Sequence, residues 1–223
     1  RKRLGAVILT RDVSEVHRHE QELMTKDATI REIHHRVKNN LQTVSALLRL
    51  QSRRSSEEAV KVALAEAERR VQAIATVHAA LSQNVDESVD FDEVARTIVR
   101  MAGAIASTDH AVEVITTGSF GTIQADQAQA LATVLNELVA NSVEHGLADR
   151  DGLIAVRAER EGTSMTVTVA DDGVGFVPGT PMSGLGTQIV HQMVRGELKG
   201  SIEWAPREGG GTLVTLHANL DPA

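Results

Sequence analysis

Leu135-Asn-Glu-Leu-Val-Ala-Asn-Ser-Val-Glu-His145, then Val169-Ala-Asp-Asp-Gly-Val-Gly-Phe176, then Ser183-Gly-Leu-Gly-Thr-Gln-Ile-Val190, are the segments whose reading decides the fold. In the first, Glu137, Asn141 and His145 recur every fourth residue, so a carboxylate, an amide and an imidazole share one ridge of a helix beside an apolar stripe. The second is an alternating strand that runs into an Asp-x-Gly-x-Gly turn. Its glycines admit close approach of backbone to a ligand, and Asp171 can accept a hydrogen bond from an exocyclic amine. The third is a glycine-rich loop feeding a helix N-terminus, where free N–H groups and the helix dipole favour phosphate. Taken singly, each has an ordinary explanation: a solvated helix face, a turn after a strand, a Gly-x-Gly turn.

Outward from these segments the pattern is mixed. Helices are expected over 91–105, 126–145 (ended by Gly146) and 187–196, and strands over 111–116, 153–159, 165–170, 200–204 and 212–218, an α/β sandwich of about 130 residues. The chain before it differs. Between Ser14 and Gln83 there is neither Gly nor Pro, which permits long helices. Ile30, Ile33, Val37, Leu41, Val44 and Leu48 form one narrow stripe, and Val60, Leu64, Ala67, Val71, Ile74, His78 and Leu81 form another. Ser55-Ser56 before Glu57-Glu58 reads as a hydroxyl cap and acidic first turn, with the break between the helices near Ser52 to Ser56. Two narrow stripes are poorly buried by one hairpin, so a homodimeric four-helix bundle is expected. The fold class is α+β: a helical-hairpin dimerisation domain, then a sandwich.

Composition narrows the function classes. The chain has 223 residues, 42% hydrophobic and 24% charged, with net charge −7, enough to bury a core and the wrong sign for a nucleic-acid backbone. Aromatic residues are 2%, so base stacking is disfavoured. Without cysteine there is no disulfide framework or thiolate metal site. No apolar run approaches the roughly 18 residues needed to cross a bilayer, so no membrane segment is expected and a cytoplasmic location is. Adjacent His34 and His35 point in different directions on a helix, whereas chelating pairs prefer a spacing of four, which disfavours metal. His34 falls within the stripe. His35 points about 140° from Ile30, toward solvent.

In this order the three segments closely resemble the N, G1 and G2 boxes of the GHKL ATPases, the family of histidine kinases, gyrase and Hsp90-type chaperones; Gly209-Gly-Gly-Thr-Leu-Val-Thr-Leu216 resembles its terminal box. The resemblance spans roughly Val89 to Ala218. It implies a Bergerat-type sandwich that binds ATP and Mg²⁺, with Asn141 on the metal ion, His145 on phosphate and Asp171 on the adenine amino group. Gly173 and Gly175 would shape the adenine pocket, Gly184 and Gly186 wrap the phosphates, and Thr212 help hold adenine. Glu137 stands where hydrolysing members orient water. Upstream, Ile30-Arg-Glu-Ile-His-His-Arg-Val-Lys-Asn-Asn-Leu-Gln42 resembles the phosphoacceptor box of the second HisKA subfamily, related to the HWE kinases, which implies that His35 is phosphorylated and that a response-regulator Asp receives the phosphoryl group. Asn39, one turn beyond His35, could then orient water for hydrolysis of the phosphorylated regulator. An acidic residue often follows the reactive histidine; here Arg36 does.

Gly5-Ala-Val-Ile-Leu-Thr-Arg-Asp-Val-Ser-Glu-Val16 looks like the exit of a PAS domain, which implies an upstream sensory domain. The expected division is 1–13 as the end of that domain, 14–84 as signalling helix and hairpin, and 85–223 as the ATP-binding domain. The expected function is that of a two-component sensor histidine kinase. A GHKL protein-serine kinase of the anti-sigma type would not need the phosphoacceptor helix, and a non-catalytic dimeric scaffold would not need an intact nucleotide site.

Overall fold

A computed structural model describes residues 14–82, 88–103, 110–148, 150–176 and 184–222. The expected PAS-like exit over 1–13, and Ser183 of the glycine loop, lie outside the described residues. Helix α1 (Ser14–Arg54) and helix α2 (Glu58–Leu81) form the expected hairpin. The break is tighter than the reading of Ser55-Ser56 as a cap. Glu57 is the N-cap residue, without a side-chain cap bond. Ser55 instead closes a local turn: the Glu57 N–H donates to its Oγ at 3.2 Å, the competition of a hydroxyl with helical bonding that suits a connector.

The α/β part begins with a short ribbon, β1 (Ser88–Asp90) paired antiparallel with β3 (Thr122–Gln124), which periodicity does not reveal because three-residue strands show none. Between them stand α3 (Phe91–Gly103) and β2 (Val112–Gly118). Then follow α4 (Ala125–Asn141), a π turn over Ser142–Gly146, β4 (Gly152–Glu161), β5 (Ser164–Asp171), α5 (Leu185–Gly196), β6 (Ser201–Pro206) and β7 (Thr212–Asn219). The five-stranded sheet has the order β2-β4-β5-β7-β6, with β2 parallel to β4 and the other pairs antiparallel.

One face of the sheet carries the core. Ile154, Val156 and Ala158 of β4, Met165, Val167 and Val169 of β5, and Val214, Leu216 and Ala218 of β7 alternate inward, as period-two patterning requires. Helix α4 lies over them and is buried at Gln127, Ala128 and every position from Ala130 to Ala140, the profile of a helix covered on all sides rather than along one stripe. Its cover includes α2: Val77 and Leu81 belong to the same continuous core as Leu131, Leu135 and Val169. The expected single helix over 126–145 is thus corrected at its end. After Asn141 the backbone widens into a π turn, and Leu147 N–H closes it on the Ser142 carbonyl at 2.9 Å.

Candidate nucleotide site

The sheet alternation places one charged residue in phase with the core. Asp171 follows Met165, Val167 and Val169 on the inward face of β5 and is 2% exposed. A buried carboxylate needs donors, and three converge on it. The N–H groups of Gly173 and Thr212 donate to Oδ1 at 3.0 and 3.1 Å, and the Ser142 hydroxyl donates to Oδ2 at 3.2 Å. The π turn that carries Ser142 and the start of β7 therefore hold this side chain in one orientation, aimed into a cavity of about 380 Å³ between α4, β5, β7 and the start of α5.

That cavity gathers most of the residues singled out from sequence. Glu137, Asn141, His145, Asp171, Gly175, Gly184, Gly186 and Thr212 all line it. Gly173 does not. It packs behind the wall, where a β-carbon would lie 2.2 Å from the Gly146 carbonyl oxygen, so this glycine permits the turn after β5 to close on the π turn. Thr212 meets the site first through its backbone N–H on Asp171 rather than through its hydroxyl. Gly184 is the N-cap residue of α5 without a side-chain cap, which leaves the first N–H groups of that helix open to an anion. A β-carbon on Gly186 would stand 2.4 Å from Glu137 Oε2, so only glycine lets the start of α5 come this close to α4.

Glu137 is 6% exposed, and its carboxylate is gripped by Arg70 of α2, with Nε donating to Oε1 at 2.8 Å and Nη2 to Oε2 at 3.0 Å. This two-pronged bond holds the Arg70 guanidinium above its ordinary pKa, against the opposing effect of burial. Next to it Arg69 pairs with Glu144 at 2.8 Å. In the sequence Arg69-Arg70 is only a short basic run with no motif around it; no local signal could have shown that the hairpin docks on α4 with both side chains in the cavity. Trp204 and Ser142 line it too and were equally hidden, since each reaches it by tertiary placement alone.

His35 and Asn39 are not part of this cavity. Both are exposed on α1. His34, one position earlier, is half-buried, and its Nδ1 lies 3.0 Å from His78 Nδ1 on α2, which agrees with the reading of His34 as a bundle residue and His35 as an outward one. With 1.5 Å of rise per residue, Arg70 stands about 12 Å along α2 from the level of His34 and His78. Among the described residues no group of three or more His, Cys, Asp or Glu could hold a metal ion, and no helix is long and apolar enough to cross a membrane.

Comparison with known proteins agrees with this geometry. Residues 32–105 match the histidine kinase family of the second HisKA type, and residues 126–222 match the histidine kinase-, DNA gyrase B- and HSP90-like ATPases. The chain is 47% identical over 98% of its length to the sensor histidine kinase PdtaS of Mycolicibacterium smegmatis, covering 45% of that protein. It is also 47% identical over 96% of its length to PdtaS of Mycobacterium tuberculosis, covering 44% of it. The chain thus spans less than half the length of these relatives. Its fold is shared with the histidine kinase domain of the Erythrobacter litoralis blue-light activated histidine kinase, at a TM-score of 0.57 and 23% identity, covering 90% of this chain and 94% of that one. With a helical hairpin of the one family joined to an ATPase sandwich of the other, the chain belongs to the sensor histidine kinases of the second HisKA type.

Proposed function

We propose that the chain is the kinase core of a two-component system: it binds ATP in the cavity described above, transfers the terminal phosphoryl group to His35, and passes it to an aspartate of a response regulator. The observation that carries this reading is the convergence of Asp171, Asn141 and the open N-terminus of α5 on one cavity, in a chain whose hairpin presents His35 to solvent. Asp171, fixed by three donors, is the acceptor for the adenine amino group. Gly184 and Gly186 admit the phosphates to the N–H groups of α5, and His145 stands at the same wall. Mg²⁺ fits as a hard cation held by the Asn141 amide oxygen together with phosphate oxygens and water, where it would neutralise charge on the transferring group. Glu137, clamped by Arg70, acts as a fixed carboxylate of the site rather than a free base.

In the transfer the lone pair of one neutral His35 ring nitrogen forms the N–P bond as the bond from γ-phosphorus to the bridging oxygen breaks. ADP leaves, and the ring loses the proton on its other nitrogen. Positioning and charge stabilisation carry the rate. Because Arg70 and the His34 level differ by about 12 Å along α2, the sandwich has to shift along the hairpin, or serve the hairpin of a second copy. The division into 14–84 and 85–223, an upstream sensory domain and a cytoplasmic location belong to the same reading, as does the homodimer, which the exposed apolar residues of the hairpin support.

The test is autophosphorylation with γ-labelled ATP and Mg²⁺. Wild type and His34→Gln should carry acid-labile label, and His35→Gln none. Acid-stable label, or label that survives His35→Gln, points to a serine acceptor or another site. In the same preparation Asn39→Ala should autophosphorylate normally yet lose hydrolysis of phosphorylated regulator; unchanged hydrolysis removes Asn39 from that role.

A further inference from the structure

The charge of the cavity has an unusual source. Of the described residues that line it, Glu66, Glu137, Glu144 and Asp171 are acidic, and the permanent cations are Arg69 and Arg70, both on α2. The sandwich supplies His145 but no Lys or Arg to this wall. A nucleotide with three phosphates would therefore meet a site whose own body is acidic, and repulsion between phosphate and the nearly buried Glu137 would be strong where water is excluded.

We propose that Arg70 is a ligand of the nucleotide's phosphate chain, contributed by the hairpin, so that the phosphate end of the site is complete only when α2 is docked on α4. The inference rests on the nucleotide-binding reading above and names a residue outside every nucleotide-binding segment recognised in the sequence. Position supports it: a β-carbon on Gly186 would lie 3.6 Å from Arg70 Nη2, which puts the guanidinium beside the open N-terminus of α5 and not at the Asp171 end. Hydrogen-bonding capacity supports it as well. Nε and Nη2 serve Glu137, with Nη2 also 3.4 Å from Glu66, whereas Nη1 makes no hydrogen bond among the described residues and keeps two N–H donors for phosphate oxygens. Arg69 is committed to Glu144 at 2.8 Å. A single guanidinium can thus neutralise Glu137 with one edge and grip phosphate with the other.

Trp204 is the sole tryptophan of the chain and lines the cavity, so its fluorescence reports binding, with calorimetry as the cross-check. In the 223-residue chain, Arg70→Gln should weaken Mg-ATP about 10- to 100-fold, the range for loss of a charge-assisted hydrogen bond, while adenosine binding changes less than about 2-fold. Equal losses for both ligands, or none for ATP, overturn the proposal. Because Arg70→Gln strands Glu137 as an unpaired carboxylate, the double variant Arg70→Gln/Glu137→Gln removes both charges. It should still bind ATP about 10-fold or more weakly than Glu137→Gln alone, a comparison from which the Glu137 charge has cancelled; equal ATP affinity of these two variants would make Arg70 a strut of the hairpin and overturn its role as ligand. A wild type that binds neither ATP nor adenosine sinks the nucleotide reading itself.

Discussion

The two regions of this molecule bury their apolar residues to very different degrees. In the sandwich, Leu131, Val134, Val139 and Ile154 are 0% exposed, and α4 is enclosed by helices and sheet. In the hairpin, Ile33, Leu47, Val62, Leu50, Val44 and Val60 are between 39% and 55% exposed. Ser45 is the only buried residue among the described side chains of α1, and its hydroxyl has no hydrogen-bond partner. Only the second half of α2 has buried residues, at Ala73, Ala75, Val77 and Leu81, of which Val77 and Leu81 join the core of the sandwich. The first region closes its core within its own chain, although Ile115, Val174 and Leu185 stand exposed at its surface; the second has an apolar surface left over along both helices, the condition a second hairpin relieves.

The difference sets the sizes of the mutational effects. Leu131→Ala should cost about 2–5 kcal/mol in a denaturant titration, through lost burial and the cavity left behind. A loss below about 1 kcal/mol, which is what a surface position gives, would erase the contrast between the regions. Leu47→Glu, on the exposed stripe, should leave the stability of a dissociated chain within about 0.5 kcal/mol. In the homodimer proposed above the same change should shift the population toward monomer in sedimentation equilibrium, since each copy would forfeit burial of a leucine worth about 1.5–3 kcal/mol and gain a charge. If wild type and Leu47→Glu have one and the same oligomeric state, the stripe has a different partner.

What could be read from sequence follows the same line. The strands announced themselves because the period of two is local, and Asp171 could be read from the Asp-x-Gly-x-Gly turn, whereas its burial in phase with Met165, Val167 and Val169 is what the structure adds. Gly184 and Gly186 could be read because a loop before a helix is legible in a few residues. The π turn at Ser142 could not, since widening a helix by one residue leaves no trace in the apolar pattern. Arg70 was hidden for a different reason. Its helix is amphipathic on two sides, one toward α1 and one toward α4, and the sequence shows the stripe without showing which body covers it. The ribbon of β1 and β3 was missed because three residues cannot display a period. Tertiary docking, rather than local preference, decided each of the features that escaped.

The smallest expected effect sits where the hairpin's two helices meet. His34 and His78 share a hydrogen bond between their Nδ1 atoms at 3.0 Å, which needs one donor and one acceptor, so at least one ring has to be neutral. Burial, and secondarily the facing His34, lower the pKa of His78 below its ordinary value, making it the ring that stays neutral. Between the lowered value in the folded chain and the unfolded value of about 6.5, the unfolded chain binds more protons, so stability rises with pH there and is lost on acidification below about 6.5. His78→Leu removes the titrating group, and its unfolding free energy between pH about 7 and 5 should fall less steeply than that of wild type. Parallel profiles for the two proteins would place the acid sensitivity elsewhere. A loss confined to helical signal, with the sandwich core unchanged, would show that the hairpin yields first, as the region with less of its surface buried should.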